Sequence, residues 1–120
     1  MFSIISGTLN RRDLLPRLLE NTIFASPLVQ LILVDGGSID GTIEYLENIE
    51  HPNFIFIKFG QRSTYPEFMN LAISYATNPY IVQWNDDVIL DNTWEEVAKC
   101  ITDEYDLYNF PYRSEKIDKT

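Results

Sequence analysis

One cysteine, Cys100, and one histidine, His51, are all that 120 residues provide of either type. A lone cysteine cannot close an internal disulfide, so a disulfide scaffold is excluded and secretion is not signalled. A lone histidine leaves a His-based triad or a zinc cluster without partners. Basic residues are also scarce: 9 Lys and Arg stand against 18 Asp and Glu, a net charge of -9 with a pI near 4.4. Such a surface repels phosphate backbones and anionic bilayers, which argues against nucleic-acid binding through a basic patch and against membrane-surface binding. No apolar run approaches the length of a membrane span. The opening Met1–Gly7 lacks a basic flank and its apolar run is too short for a signal peptide. The reading is a soluble, cytoplasmic protein. Neither a GxGxxG fingerprint nor a GxxxxGK[ST] loop is present, so dinucleotide binding and P-loop chemistry lose support.

What is present is core material. Hydrophobic residues make up 45% and aromatics 13%, against 22% charged, the balance of an ordinary globular protein. The length suits one hydrophobic core, hence a single domain over residues 1–120. Short apolar runs alternate with helix-like stretches. Strands are expected over Phe2–Ser6, Leu28–Val34, Phe54–Phe59 and Tyr80–Trp84, with a fifth over Leu107–Phe110. Leu28–Val34 is nearly all apolar, as in a strand buried on both faces. Helices are expected over Asp13–Ala25 with Asp13 as N-cap, Gly41–Ile49 with Asp40 as cap, Pro66–Ala76, and Thr93–Ile101. Strand–helix alternation implies a mostly parallel α/β sheet with right-handed crossovers. Cys100, on the last helix, reads as a small buried or half-buried hydrophobe rather than a nucleophile.

In an open parallel sheet, ligands bind beyond the carboxyl ends of the strands. Four segments lie there: Gly7–Asn10, Asp35–Ser38, Lys58–Thr64 and Asn85–Asp87. Asp35 stands where a buried strand stops, and its carboxylate can accept hydrogen bonds from a nucleobase imide or a ribose hydroxyl. Gly36 and Gly37 let a ligand approach the backbone. Taken alone, this segment is more simply a turn followed by a helix cap. Asp86 and Asp87 are sharper, because two adjacent acids between apolar runs need their charge compensated. A divalent cation of the magnesium or manganese type would do so, using one or two carboxylates together with substrate phosphates. Neighbouring side chains on an extended segment point to opposite sides. One acid is therefore expected on the metal and the other on the ribose or behind the metal ligand.

Four ordered stretches carry a resemblance. Ser3–Arg11 resembles the opening "sIIiPTYNR" of family-2 glycosyltransferases. Leu33–Thr42 resembles their "iVDDGSTDGT", and Asn70–Ile81 their "aRNxGixxAxGeYI". Asn85–Asp87 stands at their metal-binding "DxD". The resemblance implies a Rossmann-like GT-A fold, a nucleotide-diphosphate sugar donor, a divalent metal (Mg or Mn) and inverting transfer to an acceptor hydroxyl. It implies that Asp35 contacts the nucleobase, Asp86 lies near the ribose, Asp87 binds the metal, and Thr8 and Asn10 fall in the first nucleotide-contact loop, with Gly37 in the second. The sequence departs from the pattern at Leu9 (tyrosine in the family), Gly36 (the second acid), Met69 (arginine) and Asn85 (the first acid). Family domains are also longer, and their later half carries the acceptor site and catalytic base. The chain therefore reads as a donor-binding half whose uncovered surface favours self-association. Two alternatives stand beside this. One is a binding module that keeps the nucleotide site without transfer. The other is a receiver-type signalling domain, which would need an acidic cluster after its first strand, where Ser6–Asn10 offers none.

Overall fold

The computed structural model describes residues 1–101 together with Leu107 and Tyr108. Its elements alternate as expected: β1 (Phe2–Thr8), α1 (Leu15–Asn21), β2 (Val29–Asp35), α2 (Thr42–Glu47), β3 (Phe54–Lys58), α3 (Tyr65–Ile73), β4 (Tyr80–Gln83) and α4 (Trp94–Cys100). All strand pairs are parallel, and the sheet order is β3-β2-β1-β4. A receiver domain has the order 2-1-3-4-5, so the sheet order overturns that alternative. The fifth strand expected over Leu107–Phe110 reaches outside the described residues.

Strand alternation divides the apolar residues between two faces. Phe2, Ile4, Leu31, Leu33 and Val82 point to one face, where they meet Leu15, Leu18 and Leu19 of α1, Leu46 of α2 and Trp94 of α4. Ile5, Ile32 and Val34 point to the other, against Met69 and Ala72 of α3. Every residue of β2 is buried, because helices cover both sides of it. Each fully buried Leu, Ile or Val there contributes about 1.5–3 kcal/mol.

The crossover through α3 is fixed by a buried polar cluster. The Ser3 hydroxyl donates to Gln30 Oε1 at 2.6 Å, and the Thr77 amide donates to the same oxygen at 3.1 Å. The Asn78 amide donates to Ser3 Oγ at 3.1 Å, and its side chain donates to the Phe2 carbonyl at 2.9 Å. These bonds satisfy the polar atoms buried between the strands and set β4 beside β1.

Several element ends differ from expectation. Asp13 does not cap α1. The N-cap position is Leu14, and the Leu14 and Leu15 amides both donate to the Arg11 carbonyl, so a backbone turn supplies the acceptor. The same helix stops at Asn21 rather than Ala25, where the Trp94 indole N–H takes the Asn21 carbonyl at 2.7 Å. α3 starts one residue before Pro66 and is capped by the Thr64 hydroxyl, which accepts the Glu67 amide. Thr93 caps α4 in the same way through Glu96. Asp40 does serve α2, accepting from both the Thr42 amide and hydroxyl, while Gly41 takes the left-handed N-cap conformation. Cys100 is exposed rather than buried, since it lies on the last turn of α4, away from Trp94.

Trp94 anchors α4. Its ring packs 5.6 Å from Phe2 and 5.5 Å from Trp84, and it is 1% exposed. Trp94→Ala leaves a cavity and an unpaired Asn21 carbonyl, with an expected loss of about 3–5 kcal/mol. Urea unfolding of the two proteins checks this. An unchanged midpoint would contradict the assigned packing.

Candidate functional site

The order β3-β2-β1-β4 makes the winding reverse between β1 and β4. The crevice of such a sheet opens there, at the carboxyl ends. Thr8 ends β1, and Asp86 follows shortly after β4. Their side chains meet across the gap: the Thr8 hydroxyl donates to Asp86 Oδ2 at 2.8 Å. Both residues are buried. Asp87, next in the chain, is exposed. The alternation expected for the acid pair is therefore present, with one carboxylate turned into the protein and its neighbour toward solvent.

Burial pushes the Asp86 carboxyl above the usual carboxylate range, and the nearby Asp87 charge adds to this. The Thr8 hydroxyl and the Arg11 guanidinium oppose it. Arg11 Nε lies 3.8 Å from Asp86 Oδ2. Arg17, on α1, shares a small hollow with Asp86 and Asp87. The pair thus has cations near it but no neutralising carboxylate contact, and a further positive charge beside it would be favourable.

A second network ties the loop after β1 to the loop after β2. Asp35 is fully buried, and its Oδ2 accepts the Gly37 and Ser38 amides at 2.8 and 2.9 Å. Its Oδ1 accepts the Ser38 hydroxyl in a very short hydrogen bond. Ser38 Oγ in turn accepts the Asn10 amide at 2.8 Å, and Asn10 Oδ1 accepts the Ile39 amide at 2.8 Å. The Arg12 amide donates to Asp40 at 3.1 Å. Asn10 takes a left-handed conformation, φ 54°, which asparagine tolerates better than most residues. The two loops are thus zipped side by side in front of the sheet.

The third loop and α3 close the same end. The Phe68 ring lies over the strand ends, packed edge-on against Phe59 at 5.3 Å. A Cβ placed on Gly7 or on Gly36 would come within 3.2 Å of that ring. This gives a packing reason for glycine at 36. Gly37, φ +105°, has the Gly60 carbonyl where a Cβ would lie, 3.3 Å away, so the backbone that approaches it is the chain's own. Met69 is buried in the α3 core, which explains an apolar residue at that position.

The fold therefore brings Thr8 together with Asp86, and Asn10 together with Asp35 and Gly37, leaving Asp87 open beside the first pair. Asp35 carries both readings weighed for it in the sequence: its carboxylate organises the turn and also lies at the crevice. Ser38, Arg11 and Phe68 take part without having been singled out. Ser38 was legible only as a turn residue. Arg11 and Phe68 gave no local signal, because their partners are distant in sequence. Among the described residues no group of three or more His, Cys, Asp or Glu side chains converges. A cation here would take one or two protein ligands and the rest from phosphate and water, which suits an exposed carboxylate such as Asp87. Among the described residues no helix is long and apolar enough to cross a membrane.

Comparison with known proteins places this geometry. No curated protein sequence matches the chain. Solved structures do. TarS 1-349 from S. aureus in complex with UDP superposes with a TM-score of 0.68 at 20% identity, covering 82% of this chain and 31% of that one. The complex of TarS 1-349 with UDP-GlcNAc gives 0.66 at 21%, covering 82% and 30%. The mannosyltransferase PcManGT from Pyrobaculum calidifontis, in complex with GDP-Man and Mn2+, gives 0.62 at 22%, covering 76% and 28%. The chain thus spans less than a third of the length of these neighbours, and at such identities the likeness concerns the fold. The sequence profile described as Glycosyl transferase family 2 matches residues 3–119, nearly the whole chain, and the protein belongs to that family.

Proposed function

We propose that this chain is the donor-binding part of a glycosyltransferase that moves a sugar from a nucleotide-diphosphate donor to an acceptor hydroxyl, with inversion and with help from a divalent metal. The observation that carries the reading is the Thr8–Asp86 hydrogen bond across the β1/β4 gap with Asp87 exposed beside it. Neighbours with this fold were solved with UDP, UDP-GlcNAc and GDP-Man, which supports a nucleotide-sugar donor.

In this reading the loops after β1 and β2 receive the nucleoside. Thr8 and Asn10 line the first loop, and Asp35 and Gly37 the second. Asp35 already accepts three hydrogen bonds, two on Oδ2 and one on Oδ1. A carboxylate has about four acceptor positions, so one on Oδ1 remains for a nucleobase imide. Asp86 faces the ribose from the wall of the crevice, where Thr8 holds its orientation. Asp87 would hold magnesium or manganese. That ion, when bound, offsets charge that builds on the departing diphosphate. Inverting transfer also needs a general base within reach of the acceptor hydroxyl. None of the residues assigned here takes that role, so the chain by itself is a binder of the donor more than a complete catalyst. A cytoplasmic setting, a single domain over residues 1–120 and a tendency to self-associate belong to the same proposal.

Three outcomes follow. Asp87→Ala should bind UDP or GDP in the presence of Mn2+ no more tightly than the parent does with the metal chelated, measured by calorimetry. Equal affinity of parent and variant in Mn2+ would remove Asp87 from the metal site. Ser38→Ala deletes the hydroxyl that joins Asp35 to Asn10, with an expected loss of about 1–3 kcal/mol in unfolding free energy and weaker preference among uridine, guanosine and adenosine diphosphates. A variant as stable and as selective as the parent would contradict the zipped-loop account. Finally, the chain should hydrolyse nucleotide sugars slowly and show no efficient transfer to hydroxyl acceptors. Turnover at ordinary enzyme rates, about 1–1000 per second, would show that a base is present in it.

A further inference from the structure

The cations of the chain are mostly spent. Lys58 pairs with Glu47 at 2.5 Å and Lys99 with Glu96 at 3.1 Å. The Arg12 guanidinium lies 3.9 Å over the Tyr45 ring. Arg62 belongs to the loop after β3, at the far side of the sheet from β4. Arg11 differs from all of these. It stands two residues beyond the Thr8 that it follows into the crevice, and its Nε is 3.8 Å from Asp86 Oδ2. That separation is close enough for charge attraction but too long for a hydrogen bond. The Arg11 side chain is 45% exposed, and among the described residues nothing accepts a hydrogen bond from its guanidinium. Five N–H donors in a planar fork therefore face the open end of the crevice, steadied by the charge of a buried acid that Thr8 holds in place.

We propose that Arg11 is a binding residue for the diphosphate of the donor. This rests on the nucleotide-sugar reading of the site and adds a residue that the reading does not include. The chemistry favours a phosphate over other anions. A guanidinium fork matches two phosphate oxygens with parallel hydrogen bonds. Two aspartates border the same crevice, so an anion entering it meets repulsion that a metal on Asp87 relieves only in part. Arg11 supplies the remaining positive charge from the protein, and Asp86 aims it. Its neighbour Arg12, stacked on Tyr45, is turned to other work.

The test compares nucleoside and nucleoside diphosphate. Uridine, guanosine, UDP and GDP are titrated, with Mn2+, into the full chain and its Arg11→Ala and Arg11→Lys variants, with Lys99→Ala as a control for the loss of one remote charge. Arg11→Ala should lose about tenfold to a hundredfold in affinity for the preferred diphosphate. Its affinity for the matching nucleoside should not change, Arg11→Lys should recover part of the loss, and Lys99→Ala should behave as the parent. The half-exposed side chain makes misfolding an unneeded explanation, and unchanged nucleoside binding reports a folded site. Diphosphate affinity that is unaltered in Arg11→Ala, or that falls together with nucleoside affinity, overturns the assignment to Arg11 alone. A parent chain that binds neither UDP nor GDP overturns the nucleotide-sugar reading beneath it.

Discussion

A hydroxyl and a carboxylate meet at the one place where the sheet reverses its winding, and the rest of the site is arranged around that contact. Thr8 and Asp86 are 78 residues apart in sequence. They can touch only if β4 returns to the free side of β1, which requires α3 to cross the face opposite α1 and α2. The cores on the two faces provide that. Burying Asp86 costs charge solvation, and the Thr8 hydroxyl and the Arg11 guanidinium offset part of it. The remainder is a standing attraction for a cation at the open carboxylate, Asp87. The physical chemistry of an acid kept half out of water thus leads directly to a site that favours a metal and a diphosphate together.

Around this contact, backbone freedom is removed by side chains. Asp35 organises the turn after β2, Ser38 joins that turn to the loop after β1, and Asn10 and Asp40 extend the seam. Phe68 covers the strand ends from the other face, which leaves room for no side chain at Gly7 or Gly36. A surface held this way can present a fixed set of donors and acceptors to a ligand, with little ordering left to do on binding. The seam also presents Ile39 at 90% exposure, fixed through its amide to Asn10.

Much of this was legible in the sequence. The alternation of apolar runs with helical spacing gave the α/β class, because burial on two faces leaves a continuous apolar strand such as β2. The strand ends then marked Asp35, Asp86 and Asp87 as the places to look. What sequence could not give was long-range pairing. Asp13 looks like a helix cap, yet the Arg11 carbonyl takes that role. Cys100 looks like core, yet α4 is held by Trp94 and leaves the cysteine outside. Arg11 and Phe68 have no local pattern at all, since each is defined by a partner that only the folded sheet brings near. Glycine at 36 reads as a lost acid until the Phe68 ring shows why a side chain does not fit there.

The central claim is that a metal-bound nucleoside diphosphate sits at the β1/β4 crevice. Paramagnetic broadening tests it most directly. Mn2+ and UDP or GDP are added to the isotope-labelled chain and the amide signals are followed by NMR. The account predicts that signals from Thr8–Arg11 and Asp86–Val88 broaden first, and that those at the amino end of the sheet, such as Ser3 and Gln30, keep their sharpness. Broadening centred instead on the exposed acids of α4, Glu95 and Glu96, with the crevice unaffected, would contradict it.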